Sequence, residues 1–118
     1  MQIRVAALRT TGREDFLLLV GLGALLLRSL QAGSAGAVLG IANLEPELCV
    51  RVRDAVRDGR DEDAEALQAQ LAATEEAHMA FPDLKRAVSE RLRADGVEYG
   101  PLTRAPLGGA GRPAAQRA

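Results

Sequence analysis

Two short apolar segments on either side of a helical pattern constrain the fold of this chain most strongly. The segments are "FLLLVG" at 16–21 and "AGAVLGI" at 35–41, and neither alternates polar with apolar residues. Continuous apolar runs of this length are typical of strands buried on both faces of a parallel sheet. Residues 22–33, which lie between them, carry leucines at helical spacing and end at a glycine. The order predicts a βαβ unit with a right-handed crossover.

The chain that follows carries helical patterns only. Pro46 suits the first turn of a helix that Gly59 ends. A second helix is predicted from near Asp61, and a third over 84–95 with Asp83 as its N-cap. Three consecutive helices therefore follow the second predicted strand.

These elements divide the chain into three parts. Residues 1–59 hold the βα units, 60–100 form a helical appendix, and 101–118 are a closing loop and a Gly/Ala/Arg-rich tail predicted to be disordered. A pair of strands needs neighbours, because two strands alone do not make a stable sheet. A (β/α)8 barrel with a helical appendix ends in this order, but it needs about 250 residues. We therefore predict an α/β fold, the C-terminal portion of a TIM (β/α)8 barrel (its last two βα units) plus C-terminal helices.

Charge and composition argue against nucleic-acid and membrane partners. The chain has 15 Lys and Arg against 16 Asp and Glu, and only 3% aromatic residues. Nucleic-acid binding needs a basic face or aromatic side chains on which bases stack. The longest apolar run, 16–27, is shorter than the roughly 20 residues that span a bilayer. We expect no nucleic-acid partner, no membrane partner and a cytoplasmic location.

The sequence offers no residue set for a metal or for nucleophilic catalysis. Cys49 is the only cysteine, and its helical context favours a small buried apolar residue. His78 is the only histidine, and it cannot form a multi-ligand metal site alone. We therefore predict no metal and no cofactor.

The segment "FLLLVGLGALLLRSLQAGSAGAVLGIANLEPEL" resembles the last two βα units of the dihydrodipicolinate synthase / N-acetylneuraminate lyase family. The shared course is a strand ending in Gly21, a helix ending in the glycines of 33–36, a second strand, and Asn43 followed by Pro46. The later "DGRDEDAEALQAQL", "FPDLKRAV" and "GPLTRAPL" are similar to the family's closing segments, the last two especially to the 4-hydroxy-2-oxoglutarate aldolase branch. The resemblance covers roughly residues 5–108.

The resemblance implies a class I aldolase or lyase. In this family a lysine forms a Schiff base with pyruvate or another 2-oxo acid, and a tyrosine moves protons. The family carries these residues on its sixth and fifth strands, upstream of every segment found here. Lys85, the only lysine, lies on a C-terminal helix and Tyr99 in the closing loop, so neither corresponds to them. We therefore expect no catalytic residue in this chain and a C-terminal fragment that is inactive alone; the family also associates, so a homo-oligomer is expected.

Two positions of the family's substrate pocket carry over to this sequence. Gly21 ends the seventh strand, where the family's glycine lines the pocket. Val38 lies in the eighth strand, where the family's residue directs its backbone carbonyl at the bound 2-oxo acid. Leu22 stands where the family often has a polar residue. The resemblance thus predicts that a small 2-oxo-acid substrate contacts Gly21 and Val38 at the C-terminal ends of barrel strands.

Two other functions stay open at this point. In the first, the glycines at 21 and 23, which follow a strand, form a turn that directs helix N–H groups at a phosphate or dinucleotide. Alternatively, helices 47–57 and 64–81 form a non-catalytic module for interaction or oligomerisation. A titration with NAD and the oligomeric state of the chain distinguish these hypotheses.

Overall fold

The computed structural model describes residues 17–78 and 81–98, except for the side chains of the first two residues of the last helix. The elements in chain order are β1 (Leu19–Val20), α1 (Leu26–Gln31), β2 (Gly36–Ala37), α2 (Pro46–Arg57), α3 (Asp61–Ala77) and α4 (Phe81–Ala94). Two 3-10 turns, Gly23–Leu25 and Gly40–Asn43, lie before α1 and after β2. The tail predicted over 101–118 lies outside the described residues, as does the start of the chain.

β1 and β2 form a parallel sheet in which Leu19 is paired with Gly36. This confirms the parallel order of the two predicted strands around a helix. The strands are shorter than the predicted 16–21 and 35–41, and a 3-10 turn begins at Gly40 where the second strand was expected to continue. Strand backbone is held by hydrogen bonds to a neighbour, and within the described residues each strand has one neighbour only. The regular pairing is therefore limited to two residues a strand.

The expectation that these strands are buried on both faces is wrong for the structure of this chain. Val20 is buried against the helices, but Leu17, Leu19 and Val38 are 79%, 52% and 71% exposed. We call these three residues the exposed sheet face. Side chains of a strand alternate between its two faces, and the helices of the described part cover one of them. The apolar character of the other face is therefore not explained by packing among residues 17–78 and 81–98.

The hydrophobic core lies between the sheet and the first three helices, with α2 packed against α3 and α1. Val52 on α2 and Leu71 on α3 are fully buried. Ala55 and Ala64 are fully buried as well, and their short side chains let the two helices approach closely. Core residues lie on both sides of residue 59, and the boundary predicted there between the βα units and the helical appendix stays a prediction.

The last helix begins earlier than predicted. α4 starts at Phe81 rather than at residue 84, and Pro82 lies within its first turn. Proline is tolerated there because a first-turn N–H has no partner inside the helix. Asp83 is consequently a first-turn residue rather than the N-cap, and its carboxylate accepts a hydrogen bond from Arg86 at 3.2 Å.

The predicted helix stops at Gly33 and Gly59 are confirmed, since both have positive φ, and Gly96 after the last helix has positive φ as well. We expect Gly59→Ala to lower the free energy of unfolding by about 1 kcal/mol, because a side chain is disfavoured at φ +70°. No atom lies within 4 Å of the added Cβ, so the effect is conformational rather than steric. Urea denaturation measures it, and Gly59→Asn should cost less because asparagine tolerates this conformation. Equal stability of all three chains would contradict the prediction.

Candidate functional site

The structure brings the two predicted pocket residues together. The N–H of Val38 donates to the carbonyl of Val20 at 2.9 Å, and the parallel register places Gly21 beside Val38. Both residues follow the last paired residue of their strand. They therefore share the C-terminal edge of the sheet, which is the edge where barrel enzymes build their sites.

This edge is open in the described part of the chain. Gly21 is exposed, and a Cβ built on it meets no atom within 4 Å. Leu22, which follows, is 38% exposed. Gly21, Leu22 and Val38 carry no ionisable side chain, so what they offer a ligand is backbone hydrogen bonding and space. Such an edge can orient a small molecule but cannot exchange a proton with it.

The turn that follows Gly21 is held by a carboxylate from α3. Glu75 accepts hydrogen bonds from the N–H groups of Gly23 at 2.8 Å and Ala24 at 2.6 Å, through its two oxygens. These are the N–H groups that the phosphate hypothesis requires, and an anion of the chain itself already binds them. The structure therefore gives that hypothesis no support.

No sequence pattern singled out Glu75 as part of this turn. The signal was the lack of a Ser, Thr, Asp or Asn at the start of α1, where Leu22 and Leu25 occupy the cap positions and make no side-chain bond. A helix start without a local cap needs acceptors from elsewhere. Glu75 lies one turn after the buried Leu71, on the face of α3 that packs toward the turn.

Cys49 and His78 have structural surroundings. Burial, followed by the charges of Glu45 and Glu75, raises the pKa of the Cys49 thiol, which lowers the fraction of reactive thiolate. The ring of His78 is half-buried, and its Nδ1 lies 2.8 Å from the carbonyl oxygen of Thr74 in the preceding turn. Both observations agree with the interpretation of these residues as packing residues.

The remaining candidates lie away from the strand edge. Lys85 is on α4, as the sequence indicated, and Tyr99 lies outside the described residues. In the ranges 17–78 and 81–98, no group of three or more His, Cys, Asp or Glu residues is placed to hold a metal ion. None of the helices described has both the length and the apolar character needed to cross a bilayer.

Comparison with known proteins shows to which family this chain is related. The sequence model of the dihydrodipicolinate synthetase family matches residues 2–116. The chain is also similar to the probable mitochondrial 4-hydroxy-2-oxoglutarate aldolase of Emericella nidulans, with 44% identity over 46 residues. That alignment covers 39% of this chain and 15% of the relative. The name of the relative agrees with the 4-hydroxy-2-oxoglutarate aldolase branch predicted from the sequence. Because the family match extends over nearly the whole sequence, the chain belongs to the dihydrodipicolinate synthetase family.

Proposed function

We propose that this chain forms the last two βα units and the C-terminal helices of a 2-oxo-acid-dependent Schiff-base aldolase or lyase. The observation that carries the proposal is the family match over residues 2–116 together with the shared strand edge of Gly21 and Val38. The chain contributes the wall of a substrate pocket. The lysine that forms the Schiff base and the tyrosine that moves protons come from polypeptide outside these 118 residues, so the chain is inactive alone.

The exposed sheet face supports this assignment. Leu17, Leu19 and Val38 form an apolar surface that nothing in the described part of the chain covers. In a closed barrel this face is the interior, where side chains from all strands pack in layers. The outer edges of β1 and β2 are then paired with the neighbouring strands. Completion of the barrel thus accounts for both unsatisfied features of the sheet.

Each pocket residue has a distinct part in the proposed chemistry. A lysine amine condenses with the substrate ketone and releases water; the resulting iminium withdraws electrons, so the adjacent carbon gives up a proton and becomes an enamine nucleophile. Gly21 leaves the space in which the substrate lies against the strand end. The backbone carbonyl of Val38 accepts a hydrogen bond from the N–H of the iminium that the bound 2-oxo acid forms. Both groups orient the substrate, and neither takes or gives a proton.

Borohydride trapping with pyruvate tests the proposal. We expect no adduct on Lys85 of the 118-residue chain, and an adduct on the barrel lysine of a chimera in which residues 17–98 replace the corresponding segment of a complete family enzyme. Peptide mapping locates the adduct and so distinguishes an adduct on a lysine from one on the N-terminal amine of the chain. Lys85→Arg is the matched control, because it keeps the charge and should leave the adduct of the chimera unchanged. An adduct on Lys85 in the short chain would overturn the proposal, as would a folded chimera that forms none.

The exposed sheet face also favours the second candidate function, a non-catalytic interaction or oligomerisation module. Apolar surface and open strand edges promote association with another chain. Sedimentation of the 118-residue chain distinguishes the two: a discrete homo-oligomer favours the module, whereas a folded chain that associates without a fixed stoichiometry favours a barrel portion without its other strands. A 4-hydroxy-2-oxo acid is the first substrate to assay, given the name of the relative. The cytoplasmic location stays a prediction.

A further inference from the structure

The start of α1 depends on side chains from a distant part of the chain. Five N–H groups begin this segment. Those of Leu25 and Leu26 are bonded to backbone carbonyls of the turn itself. Those of Gly23, Ala24 and Leu27 are bonded to side chains of α3 instead. The turn that follows Gly21 is therefore stabilised partly by its own backbone and partly by side chains of α3.

Two side chains of α3 supply these bonds. Besides the two bonds of Glu75, the buried Gln68 accepts a hydrogen bond from the Leu27 N–H at 2.8 Å and donates one to the carbonyl of Gly23 at 3.0 Å. We call Glu75 and Gln68 the α3 clamp. Gln68 and Glu75 are two helical turns apart on α3, so they bind the segment at two different heights along that helix. Four hydrogen bonds consequently hold a stretch of five residues in one position against α3.

The packing around Gly23 shows that the clamp leaves little freedom. A Cβ built on Gly23 lies 2.8 Å from Cγ2 of Ile41 and 2.9 Å from Oε1 of Glu75. Ile41 belongs to the 3-10 turn that follows β2 and is 2% exposed. The turn after β1 is therefore held between α3 and the turn after β2. Both strand ends of the proposed pocket are connected through this contact.

From this geometry we propose that Glu75 and Gln68 are positioning residues for the substrate pocket. The inference rests on the proposed function, in which Gly21 contacts the substrate. By fixing Gly23 and Ala24, the α3 clamp sets where Gly21 lies relative to Val38. Small displacements of substrate-orienting groups are expensive in binding and catalysis, so the clamp makes the helical appendix a determinant of substrate affinity.

Hydrogen exchange of the 118-residue chain tests the clamp itself, without any catalysis. By NMR, we expect Glu75→Ala to speed exchange of the Gly23 and Ala24 amides about tenfold or more, with a smaller effect at Leu27, whose partner is Gln68. Glu75→Gln keeps one acceptor and should restore part of the protection. Glu76→Ala is the matched control on the exposed face of α3 and should change neither amide. Unprotected Gly23 and Ala24 amides in the unmodified chain would overturn the clamp.

Kinetics of the chimera test the positioning role. We expect Glu75→Ala to raise the KM for the 2-oxo-acid substrate about tenfold while kcat changes less, with Glu75→Gln intermediate and Glu76→Ala unchanged. A merely structural cap would lower the melting temperature and leave the KM of the folded enzyme unaltered, and that result would overturn the positioning role. A parent chimera without an adduct contradicts the proposed function instead, and leaves the exchange result of the short chain standing.

Discussion

Replacing Gln68 with leucine is expected to lower the free energy of unfolding by about 2–3 kcal/mol, although leucine is similar in size and more apolar. The loss comes from the Leu27 N–H, which donates to Oε1 of Gln68 in a buried setting and has no such acceptor on a leucine side chain. A buried donor left without a partner costs about 1–3 kcal/mol. The Gly23 carbonyl keeps a second donor, the Leu26 N–H, and contributes less. Urea denaturation followed by circular dichroism measures the change.

Two further variants of the chain sharpen this prediction. Gln70→Leu makes the same substitution at an exposed position of α3, and its effect should stay within about 0.5 kcal/mol. Gln68→Glu keeps the acceptor for Leu27 but places a carboxylate oxygen against the Gly23 carbonyl. Its folded-state pKa should be raised, so relative to the unmodified chain the variant is least destabilised below about pH 4.3 and loses stability as the pH rises. Equal stability of the leucine variants at 68 and 70 would contradict the importance of the buried bonds.

The helices were predictable because their signals are local. Pro46 at a first turn and positive-φ glycines at 33, 59 and 96 act within one turn of the chain, whatever the rest of the molecule does. The strands were predicted too long for the opposite reason. A strand is stabilised by hydrogen bonds to neighbouring strands. The run "FLLLVG" shows that the segment is apolar, but it does not indicate how many neighbouring strands this chain supplies.

The candidate site likewise has one part that the sequence predicts and one part that it does not. The βαβ order predicts that the two strands are parallel, and the register in the structure places Gly21 beside Val38. The α3 clamp does not follow from any local pattern, because 52 positions separate Gly23 from Glu75 and 41 separate Leu27 from Gln68. The sequence shows that α1 lacks a cap residue. Only the packing of α3 on the turn shows which carboxylate and which amide replace it.

Alanine at Gly23 should destabilise the chain, whereas alanine at Gly21 should leave its stability almost unchanged. The first substitution tests the fold and the second tests the pocket. We expect Gly23→Ala to destabilise the chain by about 1–3 kcal/mol, because its Cβ overlaps the buried Ile41 and displaces the Glu75 carboxylate from its N–H partner. Neither Gly21 nor Gly23 has positive φ, so backbone strain plays no part in the difference. Denaturation of the short chain measures both variants.

Gly21→Ala is the matched control for stability and the main variant for function. Its Cβ points into open space, so the short chain should keep its stability within about 0.5 kcal/mol, or gain slightly from the lower entropy of the unfolded state. In the chimera the same methyl group enters the proposed pocket, where we expect trapping of pyruvate to slow about tenfold or more, since overfilling a shaped site misplaces the substrate. If Gly21→Ala left trapping at its parental rate, Gly21 would be a turn residue that the substrate does not touch. The pocket would then have to be placed elsewhere on the C-terminal edge of the sheet, with Val38 as its remaining contact in this chain.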